Sequence, residues 1–189
     1  MSVPNIETDN LLIRPFVMDD LDRIHAILNA CFGESNMVFR RDWLEWTTLG
    51  YKIQAQLQQP PYGERAIALK ETGELVGAIG LVQSYAPFGT LPHFQRQSKA
   101  PASNLSTPEM GLFWAIDPAH QGNRYASEAA QGLIDFMFNQ WGLKRIVATT
   151  EYDNPASIAV MKRLGMIIER NPHPEPEWFQ ITGILENGG

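Results

Sequence analysis

The chain has 189 residues, 44% hydrophobic and 19% charged, which suits the core of one compact domain and excludes wholesale disorder. A formal charge of -6, with no basic grouping larger than the pairs Arg40-Arg41 and Lys144-Arg145, argues against nucleic acid as a partner. Cys31 is the only cysteine, which excludes an internal disulfide and a cysteine-rich zinc site; no stretch approaches the ~20 apolar residues of a membrane helix, and Met1-Ser2-Val3-Pro4-Asn5 lacks signal-peptide character, so a cytoplasmic protein with no membrane partner is expected.

Asn10-Leu11-Leu12-Ile13-Arg14-Pro15 predicts a short first strand. Asp19 and Asp20 then supply an N-cap and a first-turn acid for a helix carrying Leu21, Ile24, Ile27 and Leu28. A second helical pattern, from about Arg41 to Leu57, bears Trp43, Leu44, Trp46, Leu49 and Ile53 and ends at Pro60-Pro61-Tyr62-Gly63. Trp43, Trp46 and Tyr51 on it are expected as core or as the wall of an acceptor pocket. Arg65–Lys70 and Leu75–Leu81, joined by Glu71-Thr72-Gly73-Glu74, read as a hairpin.

Residues 83–108 form a long insertion rich in Pro, Ser, Gln and aromatics, with Arg96 and Lys99 and no acid. Its Tyr85, Phe88 and Phe94 are expected as a lid, as a contact with a second subunit, or as part of a mobile segment. Met110–Ile116 is an almost wholly apolar, hence central, strand, followed by the polar turn Asp117-Pro118-Ala119-His120-Gln121-Gly122-Asn123-Arg124. A helix then runs to about Trp141, with Ala126, Ala129, Ala130, Leu133, Met137 and Trp141 on one face. Arg145–Thr150 is the next strand. Asn154 and Pro155 open a helix through Ile158, Val160, Met161 and Leu164, which Gly165 closes. Met166–Ile168 and Trp178–Leu185 supply two final strands. The result is a mixed α/β (α+β) single domain over 1–189, with about seven strands and about four helices.

Two joins carry the chemistry. After Ile116 a buried strand feeds a polar turn and then a long helix, whose first amides have no internal partner and sit at the positive end of its dipole. Such a join cradles phosphate or serves only as a connection. The three-glycine dinucleotide fingerprint and the Gly-Lys-Ser/Thr nucleotide loop are both absent. At the second join, Asn154-Pro155-Ala156-Ser157, Asn154 is either a helix cap or part of a ligand site at the carboxyl edge of the sheet.

Together, Asp117 to Ala130 and Asn154 to Met166 resemble the cofactor half of the GNAT superfamily of N-acetyltransferases. The opening Glu7-Thr8-Asp9-Asn10-Leu11-Leu12-Ile13-Arg14-Pro15 is similar to the branch of RimJ/RimL-type ribosomal-protein N-terminal acetyltransferases. The resemblance covers the chain apart from the insertion. It implies a mostly antiparallel, twisted central sheet and acetyl-coenzyme A as cofactor. The acceptor would be an amine on a peptide N-terminus or a small molecule, and the protein a monomer or homodimer.

The resemblance further implies that Trp114, Ala115 and Ile116 pair through their backbone with the pantetheine arm. Amides from Gln121, Gly122, Asn123, Arg124, Tyr125, Ala126 and Ser127 hold the pyrophosphate. Asn154 bonds the pantetheine, and Ser157 lies near the thioester sulfur as the acid for the leaving thiolate. Glu109 and Glu151 are the candidate bases, each otherwise a solvated surface acid, and Tyr152 is an acid or orienting group, otherwise a rim aromatic. Glu177 beside Trp178 is a weaker candidate, and His120 is expected as turn polarity. His25, His93 and His173 have no metal-ligand spacing, so no metal is expected.

Two positions depart from the family pattern. Arg124 stands where the loop has its first glycine, and is expected in the helical region, where a side chain costs little. Met161 stands where many relatives carry a tyrosine acid. The two departures motivate a second reading, a non-catalytic acyl-coenzyme A-binding module.

Overall fold

The computed structural model describes residues 4–60, 62–97, 101 and 103–188. Met1, Ser2 and Val3 of the leader reading, Pro61 of the helix-ending run and Lys99 of the insertion lie outside the described residues. The strands are β1 (Ile6–Glu7), β2 (Leu11–Arg14), β3 (Gly63–Leu69), β4 (Leu75–Ala86), β5 (Thr107–Ile116), β6 (Arg145–Thr150), β7 (Ile167–Arg170) and β8 (Ile181–Glu186). The α-helices are α1 (Leu21–Phe32), α2 (Met37–Gln56), α3 (Pro92–Gln97), α4 (Tyr125–Trp141) and α5 (Pro155–Arg163).

The strand order is β1-β2-β3-β4-β5-β6-β8-β7. β5 and β6 run parallel, in register at Gly111 and Val147, while β1/β2, β2/β3, β3/β4, β6/β8 and β7/β8 are antiparallel. The mixed, mostly antiparallel class is as expected, with one strand and one helix more than the sequence suggested. β1 is too short to show a period of its own, and it exists because Ile6 pairs with Ile13 and Glu7 with Leu12. The other addition is α3, inside the insertion.

The chain divides into two compact units, Met1–Val82 with Phe113–Trp141 and Gln83–Leu112 with Gly142–Gly189; β4 and β5 contribute residues to both. In the first unit, Leu21, Ile24, Ile27 and Leu28 form the buried stripe of α1, at the spacing of about 3.6 residues per turn. They pack with Phe16, Leu44, Leu75, Ala78 and Ala115. Helix α4 buries Ala129, Ala130, Leu133, Ile134 and Met137. Its Gly132 permits close approach: a Cβ there would lie 2.7 Å from Thr8 Cγ2.

The second unit has a core that the sequence reading did not foresee. Phe88 is fully buried, packed edge-on against Phe179 at 5.3 Å between ring centroids and against Phe94 at 5.3 Å. Ala86, Leu91, Val147 and Ile184 complete the cluster. The described part of the insertion is therefore built around core, not around a lid. Each such aromatic contributes about 1.5–3 kcal/mol of burial, which orders the segment that its composition suggested was loose. Tyr85, by contrast, is exposed.

Candidate functional site

In the first unit the candidate site grows out of the end of β5. Asp117 closes the strand, donating its N–H to the Val76 carbonyl at 2.9 Å. Its carboxylate accepts from the Ala119 N–H at 2.9 Å and pairs with Arg23 at 2.6 Å. The Ala119 amide, helped by Arg23 and opposed by burial, holds this carboxyl below its ordinary pKa. It is thus an ionised acid already matched by a guanidinium, which limits its repulsion of an anion nearby.

Gly122 (φ 83) and Arg124 (φ 63) adopt left-handed backbone at alternate positions. Left-handed residues in a turn swing successive N–H groups toward one side, the geometry of an anion nest. Among the described residues, none of the backbone N–H groups from Gly122 through Ser127 meets an acceptor, and the first helical bond joins the Glu128 N–H to the Arg124 carbonyl at 3.0 Å. The Ser127 hydroxyl oxygen is also buried without a partner. Unsatisfied donors at the start of a helix of 17 residues fit a diphosphate.

The conformation of Arg124 corrects the expectation that it lies in the helical region. Its positive φ is that of the glycine it replaces, and a non-glycine residue there costs roughly 1–2 kcal/mol. Gln121 also differs from expectation. Its N–H turns back to the Pro118 carbonyl at 3.4 Å, and its side-chain amide donates to the Ile116 carbonyl at 3.0 Å. The Cys31 thiol meets the same carbonyl at 3.3 Å. Burial, followed by the charge of Asp117, raises the pKa of that thiol. Sequence reasoning gave Cys31 no part in the site, because no local signal links it to a strand 85 residues away.

In the second unit, β6 gives way to α5 through Glu151–Asn154. The Asn154 side chain accepts from the Ser157 N–H at 3.0 Å, so its capping role is real, while Ser157 stands half-buried in the first turn. Glu151 accepts from the Thr150 hydroxyl at 2.9 Å. Its own backbone N–H, then Thr150 and Asn154, hold its pKa below the ordinary range despite burial. A carboxylate so satisfied is a poor proton acceptor.

The other proton-transfer candidates are likewise occupied. The Tyr152 hydroxyl donates to the Asn171 carbonyl, and the Arg170 guanidinium lies over its ring at 3.6 Å. Glu109 forms a two-point ion pair with Arg145, at 2.5 and 3.0 Å. Arg145 reaches on to Glu186 at 3.2 Å, which also meets His93 at 2.8 Å. Glu109 is thus not the solvated acid anticipated but one end of an ion-pair network, and the Tyr152 side chain is tied through its hydroxyl to the Asn171 backbone. Glu177 is exposed.

Trp114, Ala115, Ile116 and the 121–127 turn fall in the first unit. Glu109, Glu151, Tyr152, Asn154 and Ser157 fall in the second, and within it Glu109 is tied to Arg145 and Glu186 while the other four cluster at the β6–α5 corner. On α2, Trp43 packs edge-on against Phe16 at 5.6 Å and Tyr51 accepts the Phe16 N–H, but Trp46 is 66% exposed and belongs to no core. The His120 imidazole lies 3.3 Å from Glu74 and points to no chemistry. Met161 is fully buried, and its thioether has no proton to donate. Among the described residues no group of acids, histidines and cysteines could hold a metal ion, and no helix is long and apolar enough to cross a membrane.

Residues 10–167 match the family model described as acetyltransferase (GNAT) domain. The chain is 29% identical over 188 residues to the uncharacterized N-acetyltransferase YoaA of Bacillus subtilis, covering 96% of this chain and 86% of YoaA. It is 43% identical over 60 residues to the uncharacterized N-acetyltransferase YnaD of the same organism, a match to 32% of this chain that spans only 34% of YnaD. In fold it is similar to an acetyltransferase from Agrobacterium tumefaciens, with TM-score 0.71, 23% identity, and coverage of 98% of this chain and 96% of that one. It is also similar in fold to RimL, a ribosomal L7/L12 alpha-N-protein acetyltransferase in complex with coenzyme A, with TM-score 0.65, 14% identity, and coverage of 98% and 100%.

Proposed function

The chain belongs to the GNAT acetyltransferase family, and we propose that it is an acetyl-coenzyme A-dependent N-acetyltransferase that acetylates a primary amine, on a protein N-terminus or a small molecule, by direct attack of that amine on the thioester. The observation that carries this reading is the run of unpartnered amides from Gly122 through Ser127. An acidic chain has no surplus of cations to hold a diphosphate, so the main chain supplies the donors.

Acetyl-coenzyme A, when bound, supplies the activated acetyl carbonyl. The Gly122–Ser127 amides and the Ser127 hydroxyl hold its phosphates, and the Arg124 guanidinium, exposed beside them, adds charge. The backbone of Trp114, Ala115 and Ile116 would hold the pantetheine, and Cys31 and Gln121 steady the end of β5 through the Ile116 carbonyl. Asn154 would bond the pantetheine, and Ser157 would supply the proton for the departing sulfur. The net charge of -6 draws a cationic amine toward the protein. With Glu109 and Tyr152 engaged elsewhere and Glu151 made a weaker base by the hydrogen bonds that lower its pKa, the amine loses its proton to water, and positioning of the two substrates supplies most of the rate.

The acceptor classes carry over from neighbours of similar fold. RimL is described as acting on a ribosomal-protein α-amine, and SpeG of Vibrio cholerae as a spermidine N-acetyltransferase. A second reading, a non-catalytic acyl-coenzyme A-binding module, is favoured by buried Met161 and by the occupied carboxylates. Calorimetry with acetyl-coenzyme A, followed by thiol release over a panel of N-terminal peptides and polyamines, separates the two. Binding with turnover supports acetyl transfer, and binding without turnover across the panel selects the module. Absence of binding removes the phosphate assignment.

A further inference from the structure

Helix α2 is amphipathic on two sides. One face buries Arg40, Leu44 and Thr47 against the first unit. The opposite face carries Val38 (69% exposed), Phe39 (58%), Trp46 (66%), Leu49 (55%) and Ile53 (41%), with Leu57 (64%) just past its end. At about 3.6 residues per turn these six positions fall within roughly 100° of helix surface, a stripe some 30 Å long that is interrupted by the exposed Asp42 and Gln56. An apolar stripe of that length facing water is the mark of a contact surface.

We infer that this stripe is the interface at which two copies of the chain pair, α2 against α2 in antiparallel orientation. Three observations select a second copy as the occupant. The first is self-complementarity. Trp46, the bulkiest side chain of the stripe, and Gly50, whose added Cβ would meet nothing within 4 Å, lie one turn apart along it. A two-fold axis near residue 48 sets the Trp46 of each copy over the Gly50 of the other. A mid-helix glycine is otherwise unfavourable, and open space for a partner's indole accounts for it.

The second is charge. Glu45 and Lys52 are seven residues apart on one flank of the stripe, and neither has an ion-pair partner among the described residues. In an antiparallel pair like flanks meet, so Glu45 of each copy falls beside Lys52 of the other, whereas in a parallel pair each flank faces the opposite one and the two charges do not meet. The third is area. The six side chains offer roughly 600–700 Å² at their exposures, close to the ~800 Å² that each partner contributes to a standard interface. A two-fold contact of this kind closes on itself.

Sedimentation velocity and light scattering of the intact protein from 1 to 100 µM test the pairing. The wild type is expected at twice the 21.3 kDa chain mass, and Trp46→Glu and Leu49→Glu at the monomer mass with an unchanged circular dichroism spectrum. Glu45→Lys alone and Lys52→Glu alone are expected to weaken dimerisation by about tenfold each, and the double exchange to restore it. A wild type that stays monomeric throughout overturns the inference, as does a dimer that survives both stripe variants. If one stripe variant fails to fold, the other and the charge exchange still decide. A monomer that instead co-sediments with anionic vesicles assigns the stripe to a lipid surface and overturns it too.

Discussion

Gly77 of β4 sits so close to Ala115 of β5 that a β-carbon on Gly77 would stand 2.3 Å from the Ala115 carbonyl oxygen and 2.9 Å from Ile116 Cδ1. Both neighbours lie on the strand proposed to hold the pantetheine, and one of them is main chain, which cannot swing aside as a flexible side chain can. Gly77→Ala is expected to push β5 from its place, costing about 1–3 kcal/mol of stability and raising the KM for acetyl-coenzyme A more than that for the acceptor. A thermal melt with paired KM measurements checks it, and an unchanged cofactor KM removes the strand from the site.

Arg124 is strained by its positive φ and is charged beside the unpartnered amides. Arg124→Gly is therefore expected to raise stability by about 0.5–1 kcal/mol, net of the greater chain freedom of glycine, while weakening cofactor binding. The affinity of wild type for coenzyme A falls with added salt, and the variant shows a shallower dependence. Calorimetry at two ionic strengths measures it.

Glu128 ties the N-terminal segment to α4, accepting from the Thr8 hydroxyl at 2.6 Å, the Asn10 N–H at 2.7 Å and the Asn10 side chain at 3.0 Å. Burial pushes its pKa up, but the bonds from Thr8 and Asn10 outweigh burial and hold it below the ordinary 4.5. A depressed folded pKa gives stability that is present above the unfolded value and lost as the pH falls through the folded one. Glu128→Gln should cost about 1–2 kcal/mol at pH 7, allowing for partial exposure, and the gap to wild type should shrink below the ordinary value of 4.5. Urea titrations at pH 7 and pH 4 test this.

Asn154→Ala removes a helix cap worth about 1 kcal/mol, and Ser157→Ala removes a hydroxyl that bonds nothing in the cap. Turnover is expected to fall about tenfold or more in each, with Ser157→Ala leaving the melting temperature within a degree or two. Equal proportional losses of rate and stability would reduce both residues to capping.

Glu109→Gln is expected to act on stability and not on chemistry. It leaves Arg145 with one fewer carboxylate, at a cost of about 1–3 kcal/mol, because Arg145 and Glu109 are both largely shielded from water. A kcat within about twofold of wild type, alongside a lowered melting temperature, is the expected outcome. A large loss of kcat with normal stability would return Glu109 to the candidate bases.

Local pattern was enough for most elements. The spacing of Leu21, Ile24 and Leu28, the apolar run before Asp117, and Asn154-Pro155 at a helix start each encode their structure within a few residues, because periodicity and capping act over one or two turns. The same local logic located the amide turn and the Asn154 corner. What the residues 83–108 do was not legible, since Phe88 is ordered by Phe179, 91 positions away, and nothing near either residue announces the other.

Proton chemistry was the other part decided by tertiary structure. A carboxylate in a sequence carries no mark of its partner; Arg145 turned Glu109 into a structural ion, and Asn171 claimed the Tyr152 hydroxyl. The backbone of Arg124 belongs here as well, because its φ is set by the turn that must deliver α4 from the end of β5 and not by the residue's own preference. Sequence alone therefore determined the class of fold and the place of the polar turn that opens α4, both consequences of short-range geometry. Contacts between distant segments decided which side chains remain available for chemistry, because hydrogen bonds and ion pairs form with whatever the fold brings within about 3 Å.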